Sequence, residues 1–231
     1  MKCEGIQLGV NERKEKEKQI RRNDIIDAAE KVIFSKGYDL ATMDDIAKEA
    51  EFSKRSIYIY FNSKEQLYFE IMVRGYKILI KMIEASLNDV KRKNSLERIN
   101  QIGKTLYNFN NEYPDYFKAI MSYENGEKDF VNGVPDESRE KCYSLGEEVF
   151  VFLTSELTRG IKEGLIRSEI DVTNTAILLW SCTIGLFNTL IKKRNYIEHY
   201  HNRTSEELLL EGLDFFKESI KNKNGGMKNE E

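Results

Sequence analysis

Helical periodicity with almost no strand-like alternation is the feature that most limits how this chain can fold. Through most of its 231 residues, apolar side chains recur at intervals of three and four, which places them on one face of a helix. Runs that alternate apolar and polar residues, as half-buried strands do, are nearly absent. Only Pro114 and Pro135 interrupt the pattern, and both stand beside polar residues typical of turns. We therefore predict an all-α protein.

The periodic stretches predict a series of helices joined mostly by short turns. They cover residues 18–35, 43–50, 54–60, 64–90, 95–112, 114–123, 136–163, 172–194 and 204–220. We predict two domains from this order: a three-helix unit at residues 1–64, whose first 17 residues form a flexible basic arm, and a larger bundle at residues 65–221. The helix at 64–90 would be roughly 40 Å long, enough to join the two. Residues 222–231 are predicted to be a disordered tail.

The composition fits a soluble globular protein and gives no global argument for nucleic acid, since the formal net charge is −3. The three cysteines, Cys3, Cys142 and Cys182, are far apart and lack a Cys-x-x-Cys spacing. A disulfide framework or a zinc site is therefore not expected, and a reducing cytosol fits best. The N-terminus lacks the apolar segment of a signal peptide, and the longest apolar run, 176–191, is too short and too polar for a membrane span. We expect a cytoplasmic protein without membrane contact.

Two capped helix starts separated by a tight turn point to a local nucleic-acid site. Thr42 offers a hydroxyl cap with an acidic residue, Asp45, three positions later, and Ser53 offers a cap to the next short helix. This order of short helix, turn and short helix predicts a helix-turn-helix at residues 43–61.

The segment FSKRSIYIYFNSKEQL, residues 52–67, leaves one side of the second short helix available for contacts. With Ile57 facing the core, Arg55 lies about 160° away around the helix. No acidic residue occurs from Lys54 to Lys64. A helix in the major groove needs such a surface, because Arg, Lys and Ser reach base edges and Tyr hydroxyls reach phosphates. The alternative is that these cations form an ordinary solvated face.

Two neighbouring features extend this surface. Residues 13–22 carry six basic and two acidic side chains, which suits contact with a DNA backbone. The backbone N–H groups after Ser63, together with Lys64, would form an anion site at a helix N-terminus.

Residues 20–67 resemble the DNA-binding segment of the TetR (tetracycline-repressor) family. The matching features are Ile-x-x-Ala-Ala at 25–29, Gly37-Tyr38, Thr42-Met-Asp-Asp-Ile-Ala, Ser53-Lys54 before Ile57-Tyr58-x-x-Phe61, and Ser63-Lys64-Glu65-x-Leu67. The rest of the chain matches only in the order of its helices. The resemblance implies a transcriptional regulator that binds a palindromic operator in double-stranded DNA as a homodimer. Of the two regulatory roles, it favours a repressor over an activator.

Carried over by position, the resemblance implies phosphate contacts by some residues and base or groove contacts by others. The predicted DNA-binding set is Thr42, Ser53, Lys54, Arg55, Ser56, Tyr58, Tyr60 and Lys64. Phosphate contacts are implied for Thr42, Tyr58, Tyr60 and Lys64, and base or groove contacts for Lys54, Arg55 and Ser56. This chain departs from the family pattern twice, with Glu51 where a glycine is common and Ile59 where an aromatic residue is common.

The C-terminal half carries the dimer and ligand hypotheses. The helix at 172–194 is apolar around much of its circumference and must be covered on several sides. The resemblance implies that it forms a four-helix bundle with the helix at 204–220 and their symmetry mates. It also implies a cavity for a hydrophobic small-molecule effector, and the candidate lining residues are Tyr107, Met121, Tyr123, Trp180 and Asn188.

No enzyme motif competes with this interpretation. The sequence contains no nucleophile elbow, P-loop or dinucleotide-binding glycine motif. His199 and His201 are two residues apart, which does not place them on one helix face, and we expect them in a surface loop. We therefore expect no metal, cofactor or catalytic residue. Two alternatives stay open: a DNA-binding regulator without a small ligand, which answers to a protein partner or activates transcription, and a helical interaction protein or enzyme.

Overall fold

The structure, a computed structural model, describes residues 9–124 and 137–223, and these ranges are almost entirely helical. In chain order the helices are α1 (Val10–Lys36), α2 (Met43–Glu49), α3 (Lys54–Ile57), α4 (Lys64–Asp89), α5 (Ser95–Glu112), α6 (Pro114–Glu124), α7 (Glu137–Lys162), α8 (Val172–Lys192), α9 (Arg194–His201) and α10 (Ser205–Ile220). Within these ranges the β-structure is limited to an isolated antiparallel bridge between Ile166 and Lys221. The all-α prediction is confirmed.

Two compact units divide these helices. Unit 1 comprises Met1–Gly75 and Lys118–Cys142, and unit 2 comprises Tyr76–Phe117 and Tyr143–Glu231. The division differs from the boundary predicted at residue 64, because the first half of α4 is part of the core of unit 1. Leu67 is fully buried there, and the Tyr68 hydroxyl donates to the Ala119 carbonyl at 2.8 Å. Burial raises the pKa of Tyr68 to about 12, which keeps this donor protonated.

The first helix begins earlier than the sequence predicts. The Gly9 N–H donates to the Glu12 carboxylate at 2.8 Å, which caps the start of α1. Glu17 and Arg21, one turn apart, form an ion pair at 2.6 Å. Residues 10–17, predicted as part of a flexible arm, therefore form the first turns of α1, while residues 1–8 lie outside the described part. The predicted tail at 222–231 lies outside it as well, apart from Asn222 and Lys223.

The C-terminal region contains a helix that the sequence analysis missed. α8 ends at Lys192, and α9 follows over Arg194–His201 until Asn202 adopts a left-handed conformation with φ 50°. His199 and His201 thus lie on a helix rather than in the surface loop expected for them. The missed signal is the run Arg194–His201 itself, which is too short and too polar for its periodicity to be read.

Unit 2 is built around a close approach of α5, α7, α8 and α10. Its described core includes Leu96, Leu153, Leu157, Ile166, Ala176, Leu179 and Ile220. Two glycines bring helices together: a Cβ built on Gly103 would lie 2.5 Å from Leu213, and one on Gly212 would lie 2.5 Å from Leu186. At both positions a larger residue would require the facing leucine side chain to move.

Candidate nucleic-acid interface

The helix-turn-helix is assembled by caps that the sequence predicts. The Thr42 hydroxyl accepts from the Asp45 N–H at 3.1 Å, and the Asp45 carboxylate accepts from the Thr42 N–H at 3.1 Å, so the capping box at the start of α2 is complete. The Ser53 hydroxyl accepts from the Ser56 N–H at 3.1 Å and caps α3. Both short helices therefore begin at fixed residues, which orients α3 relative to α2.

The turn between α2 and α3 closes with a Schellman arrangement. The Phe52 N–H donates to the Ala47 carbonyl at 3.1 Å and the Glu51 N–H donates to the Lys48 carbonyl at 3.3 Å. This pattern requires a left-handed residue after the helix, and Glu51 has φ 57°. A residue with a side chain is strained in this conformation, whereas glycine is not. Glu51, one of the two departures noted in the sequence, thus occupies the conformation that favours glycine.

α3 is shorter than predicted, but its two sides are arranged as expected. It ends at Ile57 rather than residue 60, because the Ile59 N–H donates to the Ser56 carbonyl at 3.3 Å in a tighter turn. Ile57 is fully buried and Arg55 is exposed. Within the described residues, Arg55 forms neither an ion pair nor a hydrogen bond through its side chain. Its guanidinium is therefore available to an external ligand.

Lys54 has an intramolecular partner that the sequence analysis missed. Its ammonium donates to the Asp44 carboxylate on α2 at 2.9 Å, and this hydrogen bond raises the pKa of Lys54. Both side chains are largely exposed, so the pair is accessible to water and weak. A phosphate or base edge can displace Asp44 from Lys54 at little cost.

Lys64 is more firmly engaged. Its ammonium donates to the carbonyls of Tyr38 and Ala41, at 2.6 and 2.8 Å, and lies 4.3 Å from the centroid of the Tyr38 ring. These contacts tie the start of α4 to the chain just before α2. The anion site predicted around Lys64 and the N-terminus of α4 is thus partly occupied by the protein's own carbonyls.

The remaining predicted residues lie on the same short stretch with different exposure. Tyr58 is 44% exposed, while Tyr60 and Ser56 are half-buried. The Ser56 and Ser53 hydroxyls are 2.7 Å apart and hydrogen-bond to each other, so each retains capacity for one further partner. The sequence-predicted residues of α3 and its two ends therefore stand together at the surface of unit 1.

An ionic contact around the buried Glu70 joins α1, α4 and α7, and no local sequence pattern predicts it. Glu70 on α4 is 7% exposed and accepts hydrogen bonds from Arg22 of α1 and Ser138 of α7, both at 2.6 Å. Burial by itself raises the pKa of Glu70, but these two hydrogen bonds outweigh it and lower the pKa. The Arg22 guanidinium also lies 5.0 Å from the Phe61 ring centroid, just beyond α3.

The predicted effector residues do not line a single described cavity. A cavity of about 40 Å³ in unit 2 is lined by Ile83, Ile99, Asn100, Ile102, Gly103, Leu106, Val149, Leu153, Leu179, Trp180, Thr183, Leu213, Phe216 and Lys217. Of the five candidates, only Trp180 belongs to this lining. Met121 is buried in unit 1, and Asn188 is half-buried on α8. Tyr123 packs edge-on against Phe69, and Tyr107 packs likewise against Phe187.

Part of unit 2 exposes apolar side chains. On α8, Ile177 and Leu178 are 50% and 64% exposed, and on α10, Phe215 is 72% exposed. α8 is also the one helix of the described chain that is long and apolar enough to cross a membrane, yet only 33% of that window is buried. A single helix of this kind is weak support for a membrane span, because core helices have the same composition. Among the described residues, no group of three His, Cys, Asp or Glu side chains could hold a metal ion.

Comparisons with known proteins agree with the geometry of unit 1. Residues 25–71 match the family model described as bacterial regulatory proteins, tetR family. Over 143 residues, 62% of this chain and 74% of the relative, the chain is 27% identical to IcaR of Staphylococcus aureus, the HTH-type negative transcriptional regulator of the biofilm operon icaADBC. Over 58 residues, 25% of this chain and 28% of the relative, it is 38% identical to the uncharacterized HTH-type transcriptional regulator YfiR of Bacillus subtilis.

Solved structures share the fold of most of the chain at low sequence identity. The transcriptional regulator FadR from Bacillus subtilis, solved with stearoyl-CoA, has a TM-score of 0.65 and 21% identity, and the match covers 85% of this chain and 98% of FadR. AibR, solved with isovaleryl coenzyme A and operator DNA, has a TM-score of 0.60 and 20% identity, with 84% and 97% covered. At these identities the structural likeness concerns the fold.

Proposed function

We propose that this chain, a DNA-binding transcriptional regulator of the TetR family, is a cytoplasmic repressor that binds a palindromic operator as a homodimer and is released by a hydrophobic effector. The observation that carries the DNA contact is Arg55 on α3, which is exposed, has no side-chain partner among the described residues and lies opposite the buried Ile57. A planar guanidinium suits the two acceptors of a guanine edge in the major groove. The name of IcaR, a negative regulator, supports the repressor role.

We assign a DNA contact to each of the other predicted residues from its exposure and its hydrogen-bond partners. Arg55, Lys54 and Ser56 contact base edges or the groove, with Lys54 released from Asp44 on binding. Tyr58, Tyr60, Thr42 and Ser53 contact phosphates, which position the protein without reading sequence. For Lys64, the two carbonyl contacts support a mainly structural role, in which it orients α2 against α4. Its third N–H donor is available to a phosphate.

The test is duplex binding by Arg55→Ala in a salt titration. The control is Arg92→Ala, since Arg92 is likewise exposed but lies in unit 2 after α4. We expect Arg55→Ala to weaken operator binding by roughly 5- to 150-fold, the range for a lost bidentate base contact, and Arg92→Ala to bind as the wild type does. Equal affinity of wild type and Arg55→Ala across the titration would show that α3 is not the recognition helix.

The dimer is supported by the exposed apolar side chains of α8 and α10. On the outer side of α8, Leu178 is followed by the exposed small residues Ser181, Cys182 and Gly185, and no atom lies within 4 Å of a Cβ built on Gly185. Small residues allow a second helix to approach closely. A two-fold dimer through α8 and α10 would cover this surface and supply the symmetry needed for two half-sites.

Light scattering of single variants tests the dimer. Leu178→Glu places a charge on the proposed interface, and we expect it to yield monomers. Val151→Glu is the matched control, because Val151 is 54% exposed on α7, outside the proposed interface. A wild-type protein that is monomeric at operator-binding concentrations would rule out the dimer, and recovery of the wild type from membranes would assign α8 to a bilayer instead.

The effector proposal is supported by the apolar lining of the cavity and by two structural neighbours solved with acyl thioesters of coenzyme A. The cavity volume of about 40 Å³ is far below the roughly 300 Å³ of the smallest typical ligand sites. Ligand binding would therefore have to enlarge the cavity. We expect stearoyl-CoA or isovaleryl-CoA to raise the melting temperature and to release operator DNA, with free coenzyme A as the control.

The small cavity equally favours the second candidate, a regulator without a small-molecule ligand that responds to a protein partner. The two candidates differ in one measurement. If a panel of acyl thioesters, fatty acids and aromatic compounds changes neither the melting temperature nor operator affinity, the ligand-free regulator is the better account.

A further inference from the structure

Ile59, two residues beyond the end of α3, is an apolar side chain that the fold holds in solvent. It is 73% exposed, while Ile57 and Phe61 on either side of it are fully buried. The backbone keeps turning through this stretch, because the Ile59 N–H donates to the Ser56 carbonyl at 3.3 Å and the Phe61 N–H to the Ile57 carbonyl at 2.9 Å. In a helical turn, side chains two residues apart point about 200° apart. The burial of Ile57 and Phe61 therefore fixes Ile59 outward.

The outward side is the one that carries Arg55. Ile59 follows Arg55 by four residues, which corresponds to about 40° of rotation around a helix. Arg55 is exposed, and Tyr58 beside it is 44% exposed. Ile59 is thus an apolar element in a surface otherwise made of cations and hydroxyl groups.

The chemistry of isoleucine limits what Ile59 can contact on DNA. It has no side-chain donor or acceptor, so it can bind neither a phosphate oxygen nor the polar edge of a base. The major groove presents one apolar group on its bases, the C5 methyl group of thymine, which cytosine lacks. An outward isoleucine beside Arg55 can therefore distinguish thymine from the other bases while Arg55 contacts a polar edge.

We propose that Ile59 is a specificity-determining residue that contacts a thymine methyl group in the operator half-site. Arg55 and Ile59 are four residues apart along a helical turn that tightens after Ile57, which corresponds to an advance of about 6–8 Å, and stacked base pairs are about 3.4 Å apart. The thymine therefore lies within about two base pairs of the base that Arg55 contacts. This inference rests on the proposed operator binding through α3. It goes further by assigning to Ile59 the base that it contacts.

The experiment removes the methyl group and the side chain separately. A duplex is selected with the wild-type protein from a random-sequence pool, and each thymine in turn is replaced by deoxyuridine, which lacks only the methyl group. Dissociation constants are measured by fluorescence anisotropy for wild type, Ile59→Ala and Ile59→Val. Val151→Ala is the control, because Val151 is a β-branched apolar residue 54% exposed on α7, outside the proposed DNA-binding surface.

We expect the effect of removing the methyl group to depend on the Ile59 side chain at one thymine per half-site. There, deoxyuridine weakens the wild type and Val151→Ala by about three- to fivefold, the loss for one buried methyl group. It leaves Ile59→Ala unchanged, and Ile59→Val keeps most of the effect. Circular dichroism should show that Ile59→Ala is folded, since the side chain it loses is exposed.

Two outcomes would overturn the inference. One is that Ile59→Ala shows the same deoxyuridine sensitivity as wild type at every thymine. The other is that Ile59→Ala weakens all duplexes equally, which assigns the side chain to the sugar–phosphate backbone. A wild-type protein that selects no duplex is a different failure, because it removes operator binding itself.

Discussion

Each unit holds a buried glutamate paired with an arginine, and the two glutamates are satisfied in different ways. In unit 1, Glu70 accepts from both Arg22 and Ser138. In unit 2, Glu156 accepts from Arg98 at 2.7 Å through one oxygen. Its other oxygen is buried, has no hydrogen bond within the described part of the chain and lies 3.5 Å from an Arg159 nitrogen. The Arg98 side chain is 14% exposed, against 29% for Arg22.

This difference indicates how strongly each buried glutamate depends on its arginine. Glu70 would keep a hydroxyl donor if its arginine were lost, whereas Glu156 would keep only a long ion pair to a partly exposed arginine. A buried carboxylate without partners is strongly destabilising, although the intact pair adds little. Unit 2 should therefore tolerate the loss of its arginine less well than unit 1.

The largest effect we predict is for Arg98→Met. It should lower the free energy of unfolding by about 3–5 kcal/mol, because Glu156 stays buried with its main partner gone. Arg22→Met should cost less, about 1–3 kcal/mol, since Ser138 still donates to Glu70. Urea unfolding followed by circular dichroism measures both. Adding Ser138→Ala to Arg22→Met should bring its loss close to that of Arg98→Met, and equal losses without this addition would contradict the comparison.

A glycine in the interior of unit 2 gives the next largest effect. A Cβ on Gly160 would lie 2.3 Å from Ile166 and 2.7 Å from the buried Ser95 hydroxyl. Gly160→Ala should therefore destabilise unit 2 by about 1–3 kcal/mol through overpacking. Gly185→Ala on the outer side of α8 has open space and should leave the melting temperature of the monomeric Leu178→Glu background unchanged or higher. Equal destabilisation by both would contradict the close packing inferred at Gly160.

In unit 1, a substitution that changes the backbone preference should stabilise the protein rather than destabilise it. Glu51→Gly relieves the left-handed strain at φ 57° and should stabilise the protein by up to about 1 kcal/mol. Glu51→Gln removes the same charge but keeps the strain, so its melting temperature should match that of wild type. Both variants should bind DNA more tightly at low salt, because a negative charge beside α3 is gone. Stabilisation by Gln as large as that by Gly would assign the effect to charge.

The smallest effect concerns Asp45 at the start of α2. The hydrogen bond from Lys36, followed by that from Thr42, lowers the pKa of Asp45 from 3.8 to about 2. A lowered pKa in the folded state means that the stabilisation is present above about pH 4 and is lost as the pH falls towards 2. An NMR titration of the Asp45 carboxyl group should show this midpoint. Lys36→Met should raise it, and an unchanged midpoint in that variant would exclude Lys36 as the main cause.

The caps and buried faces of unit 1 could be predicted because each depends on neighbours in the chain. Thr42 and Asp45 are three residues apart, as are Ser53 and Ser56, and the burial of Ile57 follows from its helix phase. The Lys64 and Glu70 contacts could not be predicted. They join residues far apart in sequence, so no local periodicity marks them. The same limit applies to Tyr107, Tyr123 and Trp180 among the proposed effector residues, since aromatic residues in helices look alike in sequence whether they line a cavity or fill a core.

The sequence by itself determined the helical class, the order of the helices and the position of the helix-turn-helix, because helix phase, capping and turn chemistry act over a few residues. Only the tertiary structure decided where the units divide and which cation of the α3 region lacks a partner among the described residues. It also decided that Ile59 is held outward while Lys64 is turned towards carbonyl groups. Those outcomes depend on burial and on hydrogen bonds between distant segments. They are fixed only when the helices pack against one another.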